Sequence, residues 1–124
     1  MDTILLKDES YRLIGICMEV HKVLGMGFKE VIYKDALELE FQTYKIPYVR
    51  EKKYAVEYKG VVLPRRFYAD FIVFGSIVLE VKASSMIVQN HFSQSLNYLK
   101  ASGLRLAIIA NFGERSFTSK RIIL

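Results

Sequence analysis

Asp70-Phe71-Ile72-Val73-Phe74-Gly75-Ser76-Ile77-Val78-Leu79-Glu80-Val81-Lys82 is almost wholly apolar, yet it carries three ionisable residues. Two short apolar runs flank Gly75-Ser76, a pattern that predicts two strands and a tight hairpin turn. A buried strand rarely carries a charge unless that charge is paired or holds a metal. Asp70, Glu80 and Lys82 therefore mark a hard-cation site with an amine beside it. That is the minimal equipment for activating water against a phosphodiester.

Facing imposes a condition on this reading. Glu80 and Lys82 are two apart on one strand and share a face. A strict two-residue turn pairs Phe74 with Ile77 and turns Asp70 to the opposite face. A three-residue loop, Phe74 to Ser76, or a bulge in either strand brings Asp70 across from Glu80. The site requires an irregular hairpin. Without it, Asp70 caps a loop and Glu80 pairs with Lys82 at the surface.

Upstream of the hairpin, Tyr54, Val56 and Tyr58 alternate with Ala55, Glu57 and Lys59, which predicts a strand from Val49. Tyr58-Lys59-Gly60 reads as a turn, with further strands over Val61–Leu63 and Phe67–Phe74. Before these, two helices are expected. The first runs from about Leu6 to Leu24, with Leu13, Ile14, Cys17, Val20 and Leu24 as its apolar stripe, widened by Ile16 and Val23. Gly25-Met26-Gly27 stops it, and Gly25 suits a left-handed cap. The second runs from about Lys29 to Tyr44, with Ile32, Ala36, Leu39 and Thr43 on one stripe and Glu30, Tyr33, Leu37 and Tyr44 on its neighbour. Pro47 marks its end. Downstream, His91–Ser102 reads as a helix closed by Gly103, Leu104–Ala110 as a central or parallel strand, and Ser119–Leu124 as a last strand. This order predicts a mixed α/β fold, one sheet with helices packed on it.

The composition fits one globular domain spanning residues 1–124: 52% of residues are hydrophobic and 25% charged. Cys17 is the only cysteine. It reads as plain core and suits a reducing compartment. No apolar run reaches the roughly 18 residues of a membrane span, and the N-terminus lacks a signal-peptide layout. A soluble, cytoplasmic protein with no membrane partner is expected. The net charge of +5 favours a polyanionic partner such as nucleic acid. Zinc-ligand spacing, a glycine-rich phosphate loop before a helix, and a Ser-His-Asp layout are all missing.

Other residues could join the acidic pair. Glu30 and Tyr33 are three apart on the second helix, and Gln94 and Tyr98 four apart on the third, each pair on one face. His91 shares the stripe of Gln94 but reads as a helix-start residue, not a ligand. His21 has no obvious partner. Cations cluster at Arg50, Lys52 and Lys53, at Arg65 and Arg66, and at Arg115, Lys120 and Arg121. Arg65 and Arg66 precede Asp70 and could touch phosphates on the approach to the site.

Taken together these residues resemble the PD-(D/E)XK nuclease superfamily. Asp70 followed by Glu80-Val81-Lys82 looks like its signature. Gly27-Phe28-Lys29-Glu30-Val31-Ile32-Tyr33 resembles the GxxExxY motif of a small family within it. Gln94-Ser95-Leu96-Asn97-Tyr98 is similar to the QxxxY motif of the RecB-like and lambda-exonuclease branch. The resemblance implies a restriction-endonuclease-like core with an extra N-terminal helix. It also implies that Asp70, Glu80 and the Val81 carbonyl bind Mg²⁺ or Mn²⁺, with Glu30 a further ligand, directly or through water. Lys82 would orient or deprotonate the attacking water, and Gln94 would position substrate or water. Tyr98 would support Gln94, and Tyr33, Arg65 and Arg66 would help place the substrate. The expected activity is a metal-dependent nuclease acting on DNA more than on RNA. The competing reading is a non-catalytic module binding nucleic acid or protein on a nuclease fold. A homodimer could supply the binding surface that so small a domain lacks.

Overall fold

The computed structural model describes residues 4–124. Two helices come first, α1 (Lys7–Leu24) and α2 (Glu30–Thr43). Strands β1 (Tyr48–Tyr58), β2 (Val61–Val73) and β3 (Ile77–Lys82) follow, then helix α3 (Gln89–Ser102) and strands β4 (Leu106–Asn111) and β5 (Thr118–Ile123). The strands form one mixed sheet in the order β1-β2-β3-β4-β5. Only β3 and β4 run parallel. A parallel neighbour needs a crossover connection, and α3 is that crossover. This is the α/β architecture that the alternation of periods predicts.

Strand alternation sorts the core into two layers. Phe71, Val73, Leu79, Val81, Ile108 and Ala110 pack with α1 and α2, whereas Ala69, Ile72, Val78, Ala107 and Ile109 pack with α3. Because β4 is covered on both faces, every one of its residues is buried, as its unbroken apolar run requires.

The helices bury narrower stripes than their sequences suggest. In α1 the buried apolar residues are Leu13, Ile16, Cys17 and Val20, while Val23 is 72% exposed. At about 100° per residue Val23 falls just outside the arc running from Ile16 to His21. In α2 the buried residues are Tyr33, Leu37 and Phe41. The Ile32–Leu39 stripe faces outward. Burial pushes the Cys17 thiol up to about 12, so it is inert core. His21 does have a partner: its Nε2 lies 2.9 Å from the Glu114 carbonyl, and its ring sits beside Phe112 and Phe117. Gly25 has positive φ (69°) but an extended ψ (−168°), so it is not the left-handed cap expected, though its N–H still bonds the His21 carbonyl.

Val61–Val73 is one continuous strand, not two divided at Pro64. The register passes from Ala55↔Arg66 to Glu57↔Val62, so Leu63, Pro64 and Arg65 bulge. A proline has no N–H to give a ladder and is tolerated at such a bulge. Only Phe71, Ile72 and Val73 pair with β3. From Ala69 outward β2 pairs with β1 alone, and the two strands leave the sheet as a ribbon.

A buried amide fastens the end of β3 to the end of β4. Asn111 Nδ2 donates to the Ser84 carbonyl (3.0 Å) and to Glu114 Oε2 (2.9 Å), and its Oδ1 accepts the N–H groups of Ser84 (3.0 Å) and Gly113 (3.1 Å). A Cβ at Gly113 would overlap the Ser84 backbone, so glycine is required there. Asn111→Ala strands these buried groups and should destabilise the protein by about 2–3 kcal/mol. The check is a lowered urea midpoint at unchanged m-value; a loss below about 0.5 kcal/mol would show that the latch is not holding.

Candidate active site where β2 and β3 part

The hairpin satisfies the facing condition by its loop. Phe71↔Leu79, Ile72↔Val78 and Val73↔Ile77 pair, leaving Phe74-Gly75-Ser76 as a three-residue connection. Phe74 (φ 57°) and Gly75 (φ 64°) are both left-handed, and the Ser76 N–H closes the turn onto the Val73 carbonyl at 3.1 Å. One step beyond Phe71↔Leu79, Asp70 stands across from Glu80. There side chains replace the ladder. The Val81 N–H donates to Asp70 Oδ2 (2.7 Å) and the Asp70 N–H donates to Glu80 Oε1 (3.3 Å).

A second irregularity sits on the other side of Asp70. Between Arg50↔Phe71 and Lys52↔Ala69, Glu51 adopts a left-handed φ of 56°. Phe71 belongs to the α1/α2 layer, while Ile72 and Ala69 both belong to the α3 layer, so alternation slips at Asp70. Irregularities of this kind re-aim a side chain. Here they leave Asp70 within reach of both helical layers.

Burial and like charge dominate the electrostatics. Glu80 is 3% exposed. Desolvation first, and the negative charge of Asp70 second, push its carboxyl up to about 9, against the opposing pull of the Asp70 N–H and Lys82. Lys34 of α2 lies 3.1 Å from Asp70 Oδ1 and 3.1 Å from Glu51 Oε1. Burial lowers the pKa of its amine, but the two carboxylates outweigh this and leave it above the ordinary lysine value. Lys82 Nζ donates to Gln94 Oε1 of α3 at 3.3 Å. The half-buried Tyr98 packs edge-on against Phe67, with centroids 5.9 Å apart. Its hydroxyl is pushed up to about 12 by burial and then by Glu80 and Asp70. Asp70, Glu80, Lys82, Gln94 and Tyr98 are thus brought together.

Other expected members are placed differently. Glu30 Oε2 accepts the Ala83 N–H at 3.4 Å, fixing the chain where it leaves β3 and not meeting the acidic pair. Tyr33 is fully buried; its hydroxyl donates to the Gly25 carbonyl (2.6 Å) and accepts the Phe28 N–H (3.3 Å), and its ring stacks on Phe112 at 4.7 Å. A tyrosine so enclosed reaches no substrate. Arg65 and Arg66 lie on the ribbon, roughly 13–17 Å along the strand from Asp70. The Arg66 guanidinium folds back on the carbonyls of Leu63 and Arg65. His91 caps the first turn of α3, accepting the Val88 N–H on Nδ1 at 3.2 Å. Burial and Lys82 lower its pKa, with Glu30 opposing.

Lys34 and Glu51, absent from the residues expected from the sequence, contact the site through Asp70. The spacing of four between Glu30 and Lys34 on one helix face was a visible signal. Glu51 has none, because its role depends on its left-handed backbone and on the slip in alternation at Asp70. Together Glu30, Lys34, Glu51 and Ala83 line an open cleft of about 610 Å³.

Among the described residues no three His, Cys, Asp or Glu side chains converge closely enough to hold a metal. Two carboxylates do converge. A hard ion such as Mg²⁺ commonly takes only one or two protein carboxylates and keeps its waters, so the donor set fits Mg²⁺ or Mn²⁺. In an extended strand a residue's N–H and C=O point to the same side. Since the Val81 N–H meets Asp70, its carbonyl opens that way too.

One mixed sheet, parted between β2 and β3 over an acidic pair with a lysine two residues on, defines an α/β protein with a candidate hard-cation site. The chain belongs to the PD-(D/E)XK nuclease superfamily, whose family model matches residues 7–122. The crystal structure of SSO0001 is similar in fold, with a TM-score of 0.60 at 21% identity, covering 74% of this chain and 48% of that one. The chain therefore spans about half the length of that protein. No curated protein sequence matches it.

Between the ordinary carboxylate value of 4.5 and about 9, the folded protein holds a proton on Glu80 that the unfolded chain releases. The stability from this group is therefore complete below the ordinary value and is lost as pH rises toward the folded one. With a chelator present, the denaturant midpoint should decline from about pH 5 to about pH 9, and Glu80→Gln should flatten that decline. Parallel curves for the two proteins would show that Glu80 is not held protonated.

Proposed function

We propose that this chain is a Mg²⁺- or Mn²⁺-dependent nuclease of the GxxExxY kind, acting on DNA in preference to RNA as a single cytoplasmic domain. One observation carries the reading. Two carboxyl groups, the half-buried Asp70 and the buried Glu80, meet side by side where β2 leaves β3, and Lys82 follows on the same strand. Apposed buried acids are costly unless a proton or a cation relieves them. Superfamily membership gives that cost a chemistry.

A bound divalent ion would supply Lewis-acid activation of the phosphodiester and of water. Asp70, Glu80 and the Val81 carbonyl would hold it. Lys82, kept in place by Gln94, orients the attacking water and offsets the negative charge that grows on the phosphoryl oxygens. On the α3 side Tyr98, packed edge-on against Phe67, would flank Gln94. Glu30 steadies the strand end from which Lys82 projects.

The β1–β2 ribbon supports a nucleic-acid partner. Lys52, Lys53, Lys59, Arg65 and Arg66 are exposed, and none forms an ion pair among the described residues. Unpaired cations on a projecting two-stranded element suit contact with phosphates. Such a ribbon is the gripping surface that so small a domain otherwise lacks.

Purified protein is tested on single- and double-stranded DNA and RNA with Mg²⁺ or Mn²⁺. DNA should be cut, and Lys82→Ala or Asp70→Ala should slow cutting at least about a hundredfold. Undiminished cutting by either variant sinks the proposal. Faster cutting of RNA reverses the substrate preference. DNA bound but never cut selects the non-catalytic binding module. For the ribbon, duplex binding is followed by fluorescence anisotropy in chelator across a salt series. The triple variant Lys53→Ala/Arg65→Ala/Arg66→Ala should bind more weakly, its slope of log affinity against log salt shallower by about 2–3. An unchanged slope removes the ribbon from the interface.

A further inference from the structure

Lys34, like Arg50 with Asp35 and Glu38, sits between two carboxylates, but one partner of Lys34 is an acid of the candidate site. Its ammonium bridges two carboxylates at equal distance, Asp70 Oδ1 and Glu51 Oε1, both at 3.1 Å. Its side chain is only 13% exposed, while that of Glu51 is 59% exposed. Asp70 divides its two oxygens: Oδ2 takes the Val81 N–H and Oδ1 takes Lys34. Lys34 thus cancels one of the two negative charges that the acidic pair would otherwise carry.

A divalent ion at Asp70 and Glu80 would compete with Lys34 for that charge. Two cations on one carboxylate repel strongly where water is scarce. Lys34 has somewhere else to go, because Glu51 already holds it from the solvent side of the cleft. Glu51 is aimed there by a left-handed backbone (φ 56°), a conformation that non-glycine residues adopt at some cost. A strained residue used only to add a surface ion pair would gain little, since exposed pairs contribute little to stability.

We infer that Lys34 is a resident counter-cation of the Asp70–Glu80 pair, which gives up Asp70 to an incoming divalent ion and retreats onto Glu51. The inference rests on the reading of Asp70 and Glu80 as the metal-holding pair. One ion contact is exchanged for another, and no covalent bond changes. Lys34 is a positioning residue that sets how tightly the site takes its ion. Glu51 is the part of the device that lets it move.

The test is calorimetric titration of the chain with Mn²⁺, reading affinity without any substrate. Lys34→Met should bind Mn²⁺ roughly five- to tenfold more tightly than the wild type. Glu51→Gln should bind it more weakly, because Lys34 then has only Asp70. In the Lys34→Met background the effect of Glu51→Gln should shrink, since the two residues act as a unit. An ordinary structural salt bridge would not move the two single variants in opposite directions. If wild type and Lys34→Met bind Mn²⁺ equally, the role of Lys34 is overturned and the metal reading stands. If neither binds Mn²⁺, both fall together. Should Lys34→Met fail to fold, Glu51→Gln decides alone, and Mn²⁺ affinity equal to wild type overturns the inference.

Discussion

The structure depends on how backbone polar groups are satisfied where β2 leaves β3. A strand that loses its neighbour exposes N–H and C=O groups, and a buried group without a partner is costly. Here the Asp70 carboxylate takes the Val81 N–H and the Glu80 carboxylate takes the Asp70 N–H. The side chains that repair the parted sheet are the two acids of the site. Opening the sheet and building the site are one event, so neither acid can be removed without disturbing the parting of the strands.

The same arrangement explains the uneven electrostatics of the two acids. Asp70 lies at the slip in alternation and reaches Lys34, whereas Glu80 stays inside the regular strand, facing α3. Asp70 is paired with Lys34. Glu80 is held toward its protonated form by burial and by the charge of its neighbour. A carboxyl perturbed by burial and by a specific charged neighbour is a recurring sign of a functional site. The pair is poised between a proton, an ammonium and an exogenous cation, three ways of relieving the same charge.

What was legible in the sequence is what short range controls. Gly75-Ser76 between apolar runs gave the hairpin, and parity showed that Asp70 could meet Glu80 only if that hairpin were irregular. The unbroken run from Leu106 marked a strand covered on both faces. What was not legible depends on distant partners. The partner of His21 is the Glu114 carbonyl, and the Asn111 amide joins Ser84 to Glu114. Pro64 looked like a strand boundary because its bulge exists only against β1. Lys34 and Glu51 became visible once the slip at Asp70 brought three elements together.

Tyr33 shows that spacing on one helix face does not decide what a side chain touches. Glu30 and Tyr33 share a spacing that places both side chains on one helix face, and the resemblance implies that Tyr33 helps place the substrate. Instead the tyrosine is enclosed, its hydroxyl tying the Gly25 carbonyl to the Phe28 N–H and its ring stacked on Phe112. Gly27, at φ 113°, makes the turn that brings Phe28 back to that hydroxyl. With the ring anchored, the first turns of α2 have little freedom to rotate. Glu30, three residues before it, and Lys34, one after it, thereby reach the two strands where they part, Glu30 meeting Ala83 at β3's exit and Lys34 meeting Asp70 on β2. The glycine and the tyrosine set the helix, and the charged residues beside the tyrosine reach the site. On this view the motif works as a clamp on α2, and its tyrosine acts without approaching the chemistry.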